Sequence, residues 1–137
     1  LPVMTWDQLN EWRQAGMDVG GHTLTHADLT QCSDRDLERE VVDSKKELED
    51  RLGTPLRYFA YPKGRWDARV REAVAKAGYQ AAVTVFPEPV KPGADPFSLG
   101  RLPMDRKSGQ GRHGFVLSRW YFPYVRAKVF LGRMPRD

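Results

Sequence analysis

Three capped helical segments, each followed within a few residues by a short strand-like run, restrict the fold more than any other feature of this chain. Thr5 with Gln8 has the pattern of a capping box, Leu9 and Trp12 give a helical stripe, and Gly16 supplies the stop. Ser33 opens a second helix, with Asp34, Asp36 and Glu38 placed early, where the helix dipole favours negative charge. Leu37, Val41, Leu48 and Leu52 share one face of it, and Gly53 then Pro55 end it. Asp67 caps a third helix, which carries Val70, Val74 and Ala77 and stops at Gly78. The strand-like runs are 17–21, 57–61 and 80–85. The last of these, QAAVTV, is almost unbroken in apolarity and predicts a strand covered on both faces. Helices alternating with single strands predict parallel strands joined by crossovers, hence an α/β sheet or barrel.

A full eightfold α/β barrel needs about 250 residues, so 137 residues are about half of one. A chain that opens on a helix predicts that the strand feeding that helix lies upstream of Leu1, and the chain reads as a fragment. Residues 86–114 are rich in proline and glycine and predict a long irregular connection. Hydrophobic residues at 40% and charged residues at 29% exclude wholesale disorder. No apolar run approaches the roughly 18 residues of a membrane span. The single cysteine, Cys32, excludes an internal disulfide and a cysteine-based zinc site.

The net charge of +4 is unevenly placed, because residues 101–137 hold nine basic and two acidic side chains. Phe115, Trp120, Tyr121, Phe122, Tyr124 and Phe130 are interleaved with them. Such a segment suits an anionic polymer, nucleic acid or a membrane surface. It equally suits a terminal extension that packs its aromatics on the domain and leaves its arginines solvated. The absence of a glycine-flanked or repeated binding motif favours the second reading.

Two stretches carry chemistry. In G-G-H-T-L-T-H-A-D-L, His22 and His26 are separated by three residues, a spacing that on a helical turn stacks two imidazoles close enough to share one metal ion. The pair follows the run 17–21, at the carboxyl end where α/β proteins build their sites. Alone, it also suits histidines that cap or fill a loop. In R-Y-F-A-Y-P-K-G-R-W-D, Pro62 and Gly64 force a sharp turn that can leave the backbone N–H of Lys63 unpaired. Such a donor suits a developing oxyanion. An ordinary strand-to-helix turn would have the same sequence.

Taken together and in this order, the stretches resemble the polysaccharide deacetylase family with the NodB homology domain, a carbohydrate esterase family. The likeness is to members carrying an F-A-Y-P-x-G turn. It covers most of residues 3–104, through M-T-W-D-Q-L, A-G-M-D-V-G-G-H-T-L-T-H-A-D-L, S-K-K-E-L-E-D-R-L-G-T-P, F-A-Y-P-K-G-R-W-D, A-G-Y-Q-A-A-V-T and L-G-R-L-P-M. Residues 1–104 would then be the C-terminal portion of such a domain, on a partial, distorted (β/α) barrel with parallel strands, and 105–137 a basic, aromatic extension. The resemblance implies metal-assisted removal of N-acetyl groups from an acetylated polysaccharide or oligosaccharide. His22 and His26 match its two histidine ligands for a divalent metal, usually zinc, and the Lys63 backbone matches its oxyanion donor. Trp66 and Tyr61 are the candidate sugar-binding aromatics. The resemblance favours the cell envelope or the extracellular side.

The departures are equally specific. Nothing in the chain matches the family's Asp-Asp motif, which supplies the base and a third metal ligand and would lie upstream of Leu1. Asp18, Asp28, Asp67 and Asp105 are the nearby carboxylates, none in a matching context. Ala60 stands where many members carry arginine, an alanine shared with the F-A-Y-P-x-G members. His113 is the only remaining histidine for the general acid. Two rival readings follow: a non-catalytic carbohydrate-binding remnant with vestigial histidines, and a nucleic-acid or membrane-surface module built on residues 101–137. The latter ranks last, because its charge excess lies outside the recognisable part.

Overall fold

The computed structural model describes residues 3–102. Helix α1 (Trp6–Gln14) begins at the capping box, in which Thr5 Oγ1 accepts from the Gln8 N–H and Gln8 Oε1 from the Thr5 N–H. No residue of α1 is buried; Leu9 packs against the core edge, but Trp12 is exposed, so the stripe expected there is only half used. The predicted second helix starts at Ser33, whose hydroxyl caps the Asp36 N–H, and stops at Gly53 in the left-handed conformation. Inside it, α2 (Asp34–Glu38) and α3 (Ser44–Leu52) are joined by a π-turn over Arg39–Asp43. That wider turn brings both Glu40 and Val41 inward. Helix α4 (Ala68–Lys76) begins at Asp67, which accepts from the Val70 N–H, and buries Val70 and Val74.

Strands β1 (Tyr58–Ala60) and β2 (Ala81–Val83) pair in parallel, Phe59 opposite Ala82, with α4 as the crossover. Isolated parallel bridges extend the sheet on both sides, Gly21 to Phe59 and Val83 to Leu99. The alternation therefore yields a parallel α/β arrangement. Of the run 17–21, only Gly21 pairs, because Met17 and Asp18 face outward and two consecutive glycines offer the ladder no side chains. A Cβ on Gly21 would collide with the Tyr79 hydroxyl, so glycine is required at this close approach.

The core gathers Leu29, Leu37, Val41, Leu52, Leu56, Phe59, Tyr61, Val70, Val74, Tyr79 and Ala82. β2 is less covered than its sequence predicts: Ala82 and Thr84 are buried, Ala81 and Val83 half-buried, and Val85 exposed. As far as residue 102 the connection after it is irregular, as expected, yet firmly tied. Arg71 grips Asp95 through two bonds (2.6 and 2.9 Å), and Leu99 closes on Ala82 and Thr84. This added parallel bridge has no alternating pattern to announce it in the proline-rich sequence. The 104/105 boundary and the basic extension lie outside the described residues.

Candidate active site

The histidine loop follows Gly21 and the A-Y-P-K-G turn follows β1, so adjacent parallel segments deliver both to the same sheet edge. The imidazoles of His22 and His26 meet edge to face, with ring centroids 4.9 Å apart and planes at 70°. They do so from a loop and not from the helical turn that their spacing suggests. Thr23 (φ 66°) and His26 (φ 61°) adopt left-handed backbone, and Thr23 Oγ1 accepts from the His26 N–H at 3.0 Å. Two residues in that conformation, rare for side chains of this size, fold the loop back so that the rings converge. His22 Nδ1 lies 2.6 Å from the Ala60 carbonyl oxygen. A carbonyl only accepts, so in the neutral ring Nδ1 carries the proton and Nε2 keeps the lone pair.

The turn after β1 runs Pro62–Gly64, with Lys63 at φ 55° and Gly64 at φ 69°. The Gly64 and Arg65 N–H groups return to the Tyr61 and Pro62 carbonyls. Among the described residues no acceptor pairs with the Lys63 N–H. Gly64 is required here, since a Cβ would stand 2.5 Å from Val85 Cγ2 and 2.7 Å from its nitrogen.

Of the candidate carboxylates, three are bonded to other groups. Asp18 pairs with Arg57, and Asp67 caps α4. Asp28 accepts from the Thr30 N–H and hydroxyl and from Arg65 at 2.9 Å, joining the histidine loop to the turn. The Thr30 hydroxyl, then the Arg65 guanidinium, hold its carboxyl below the usual range. Asp105 and His113 lie outside the described residues. Among the described residues no group of three His, Cys, Asp or Glu side chains converges, and His22 and His26 are the pair whose rings meet. Neutral imidazole nitrogens, one oriented by a backbone carbonyl, are the donor chemistry that zinc takes.

Tyr61 corrects the sequence reading. It is 1% exposed and its hydroxyl donates to the Phe97 carbonyl at 2.9 Å, so the ring belongs to the core beneath the turn and offers a ligand no surface. Burial pushes that phenol up to about 12. Trp66 is half-buried and stacks on Tyr61 with centroids 6.1 Å apart. Sequence reasoning missed Glu40, a buried carboxylate that binds the histidine loop from the π-turn. Its signal was a charged residue beside Val41, next to the apolar stripe of the helix.

A family model described as polysaccharide deacetylase matches residues 2–82. A chitooligosaccharide deacetylase of Sinorhizobium fredii is 36% identical over 69 residues, covering 48% of this chain and 31% of that protein. A peptidoglycan-N-acetylglucosamine deacetylase of Bacillus cereus is 31% identical over 81 residues, covering 59% of this chain and 38% of that protein. Among solved structures, the Streptococcus pyogenes deacetylase PplD in complex with acetate superposes with a TM-score of 0.77 at 27% identity. That match covers 84% of this chain and 51% of that one. The chain thus spans about a third of the length of the curated relatives it matches. The likeness identifies its α/β arrangement as part of the fold of these deacetylases.

Proposed function

The chain belongs to the polysaccharide deacetylase family, and from that premise we propose that it forms part of a domain that hydrolyses N-acetyl groups of an acetylated polysaccharide or oligosaccharide, with His22 and His26 as two ligands of one divalent metal ion, zinc. The observation that carries this reading is the imidazole pair just after the bridged residue Gly21, with His22 Nδ1 bonded to the Ala60 carbonyl at the end of β1 and Nε2 left to ligate. A divalent metal held there supplies Lewis acidity toward an acetamide carbonyl and acidifies a coordinated water. His22 and His26 bind it as neutral donors, the Ala60 carbonyl fixing the tautomer and ring plane of His22. The Lys63 N–H, which no acceptor among the described residues takes, donates in this reading to the oxygen on which negative charge develops. Trp66 borders the turn as a flat apolar surface for a sugar ring. Asp18, Asp28 and Asp67 are engaged by Arg57, by Thr30 and Arg65, and by the α4 N-terminus, so this reading assigns the proton acceptor, third ligand and general acid to groups other than these three. The relatives named for chitooligosaccharide and peptidoglycan support an N-acetylated sugar as the substrate class.

Zinc titration of the chain, followed by acetate release from an N-acetylated chitooligosaccharide, tests the reading. Zinc should bind weakly to the chain and be lost in His22→Ala and His26→Ala. Acetate release should be absent from this chain and appear when it is extended upstream. Retained binding in both variants would place the metal elsewhere. Sugar binding without acetate release by the extended protein would leave the carbohydrate-binding reading.

A further inference from the structure

We propose that Glu40 is a positioning residue that sets the conformation of the histidine loop, an inference that rests, for its metal consequence, on His22 and His26 being the ligands. Glu40 is 7% exposed and is the second residue of the π-turn in the second helix. Both of its oxygens are used by the loop. Oε2 accepts from the N–H groups of Leu24 and Thr25, each at 2.9 Å, and Oε1 accepts from the Thr25 hydroxyl at 2.6 Å. Leu24 and Thr25 lie between the two histidines, flanked by Thr23 and His26 in left-handed backbone. That segment has no apolar anchor of its own, because Leu24 is exposed. Its strained shape is therefore held by polar bonds: His22 to Ala60 at one end, His26 N–H to Thr23 at the other, and Glu40 in the middle.

The helix is adapted to deliver this carboxylate. A regular α-helix with Leu37 and Val41 inward would put residue 40 at the margin of the buried stripe. The π-turn turns Glu40 and Val41 inward together, and the buried Ser44 hydroxyl donates to the Glu40 carbonyl at 2.6 Å. π-turns are uncommon in helices and recur at functional sites. Burial raises the carboxyl's pKa, but the bonds from Thr25 and Leu24 outweigh it, so the group is an anion and a full acceptor at neutral pH. An apolar residue would fill the same space without locating the loop.

The test uses this chain with Glu40→Ala, Glu40→Gln and Glu40→Asp, and with Val74→Ala as a destabilised control at a core position away from the loop. Each is read by cobalt(II) or zinc titration and, without metal, by amide exchange of Leu24 and Thr25 and the ring N–H signal of His22. Glu40→Ala should weaken metal binding by about 10- to 100-fold and speed exchange of both amides at least tenfold at temperatures where its circular dichroism matches the parent. Glu40→Gln, whose amide oxygen still accepts from both N–H groups, should stay within a few-fold of the parent. Glu40→Asp keeps the charge but falls one methylene short, and should behave as Glu40→Ala. Val74→Ala should change neither readout. Unchanged exchange in Glu40→Asp, or equal losses in Val74→Ala, would overturn the proposal. If the parent shows no binding that depends on His22, the ligand reading fails, and the exchange measurement still decides the role of Glu40. If Glu40→Ala does not fold, the Gln and Asp variants carry the comparison.

Discussion

His22 Nδ1 and the Ala60 carbonyl oxygen stand 2.6 Å apart, across 38 residues of sequence. This bond joins the histidine loop to the last residue of β1 and fixes which nitrogen of His22 holds its proton. Neutral His22 should therefore be the Nδ1–H tautomer. Nitrogen-15 shifts of the imidazole at pH 8 check this. A dominant Nε2–H form would remove the bond, and with it the orientation of the ring.

Asp28 ties the same loop to the turn that carries Lys63, and it also caps the short 3-10 turn Leu29–Gln31. Removing a cap costs about 0.5–2 kcal/mol, whereas a partly exposed ion pair contributes about 0–1 kcal/mol. Asp28→Asn should thus lose less stability than Asp28→Ala, which should lose about 1–2 kcal/mol by urea denaturation. If Asp28→Ala is neutral, the cap contributes nothing measurable.

Much of this fold was legible because its signals are local. Thr5, Ser33 and Asp67 cap helices where they stand, and Gly53 ends one where it stands. The histidine pair was legible as a pair, but its geometry was not. A three-residue spacing fits a helix, while the observed loop depends on Glu40 and Ala60, which sequence places 14 and 34 residues beyond His26. The π-turn was invisible for the same reason: its partners are Leu24 and Thr25, and no local preference announces them. Tyr61 looked like a ligand surface because it borders a motif, but strand alternation places it inward beside Phe59, with Phe97 receiving its hydroxyl.

The turn after β1 separates a backbone role from a side-chain role. Gly64→Ala should cost about 2–4 kcal/mol, combining a left-handed backbone with a collision against Val85. Lys63→Gly keeps the N–H and relieves the left-handed strain, so stability should change by less than about 1 kcal/mol. Acetate release by the chain extended upstream should then stay within a few-fold. A large loss in Lys63→Gly at unchanged stability would assign the function to the ammonium instead of the amide.

Stability should fall at both ends of the pH scale, for different groups. Thr30 and Arg65 lower Asp28, Arg71 lowers Asp95, and at Glu40 hydrogen bonds outweigh burial. Each folded pKa lies below its unfolded value, so their stabilisation is complete above about pH 5 and is lost as pH falls through the folded values. Tyr61, raised to about 12 by burial, acts oppositely. Its contribution is complete below about pH 10 and is lost as pH rises toward 12. Urea midpoints at pH 7, 4 and 3, and at pH 9 and 11, read both limbs. A flat midpoint from pH 7 to 3 would show that these carboxylates are unshifted.

Trp66 lies between the core and the proposed sugar-binding surface. Its ring stacks on Tyr61 at 24°, and it packs against the buried cluster while remaining half-exposed. Truncating a fully buried Trp costs about 3–5 kcal/mol, so Trp66→Ala should cost roughly half of that. If the exposed half also meets a sugar ring, oligosaccharide affinity should drop several-fold in the same variant, at temperatures well below its melting point. Trp66→Phe separates the two contributions. It retains a ring over Tyr61 and should recover most of the stability, while the smaller face and the missing indole N–H keep the affinity low. Full recovery of affinity together with stability in Trp66→Phe would mean that the residue acts through packing. Affinity unchanged in Trp66→Ala would remove it from the binding surface altogether.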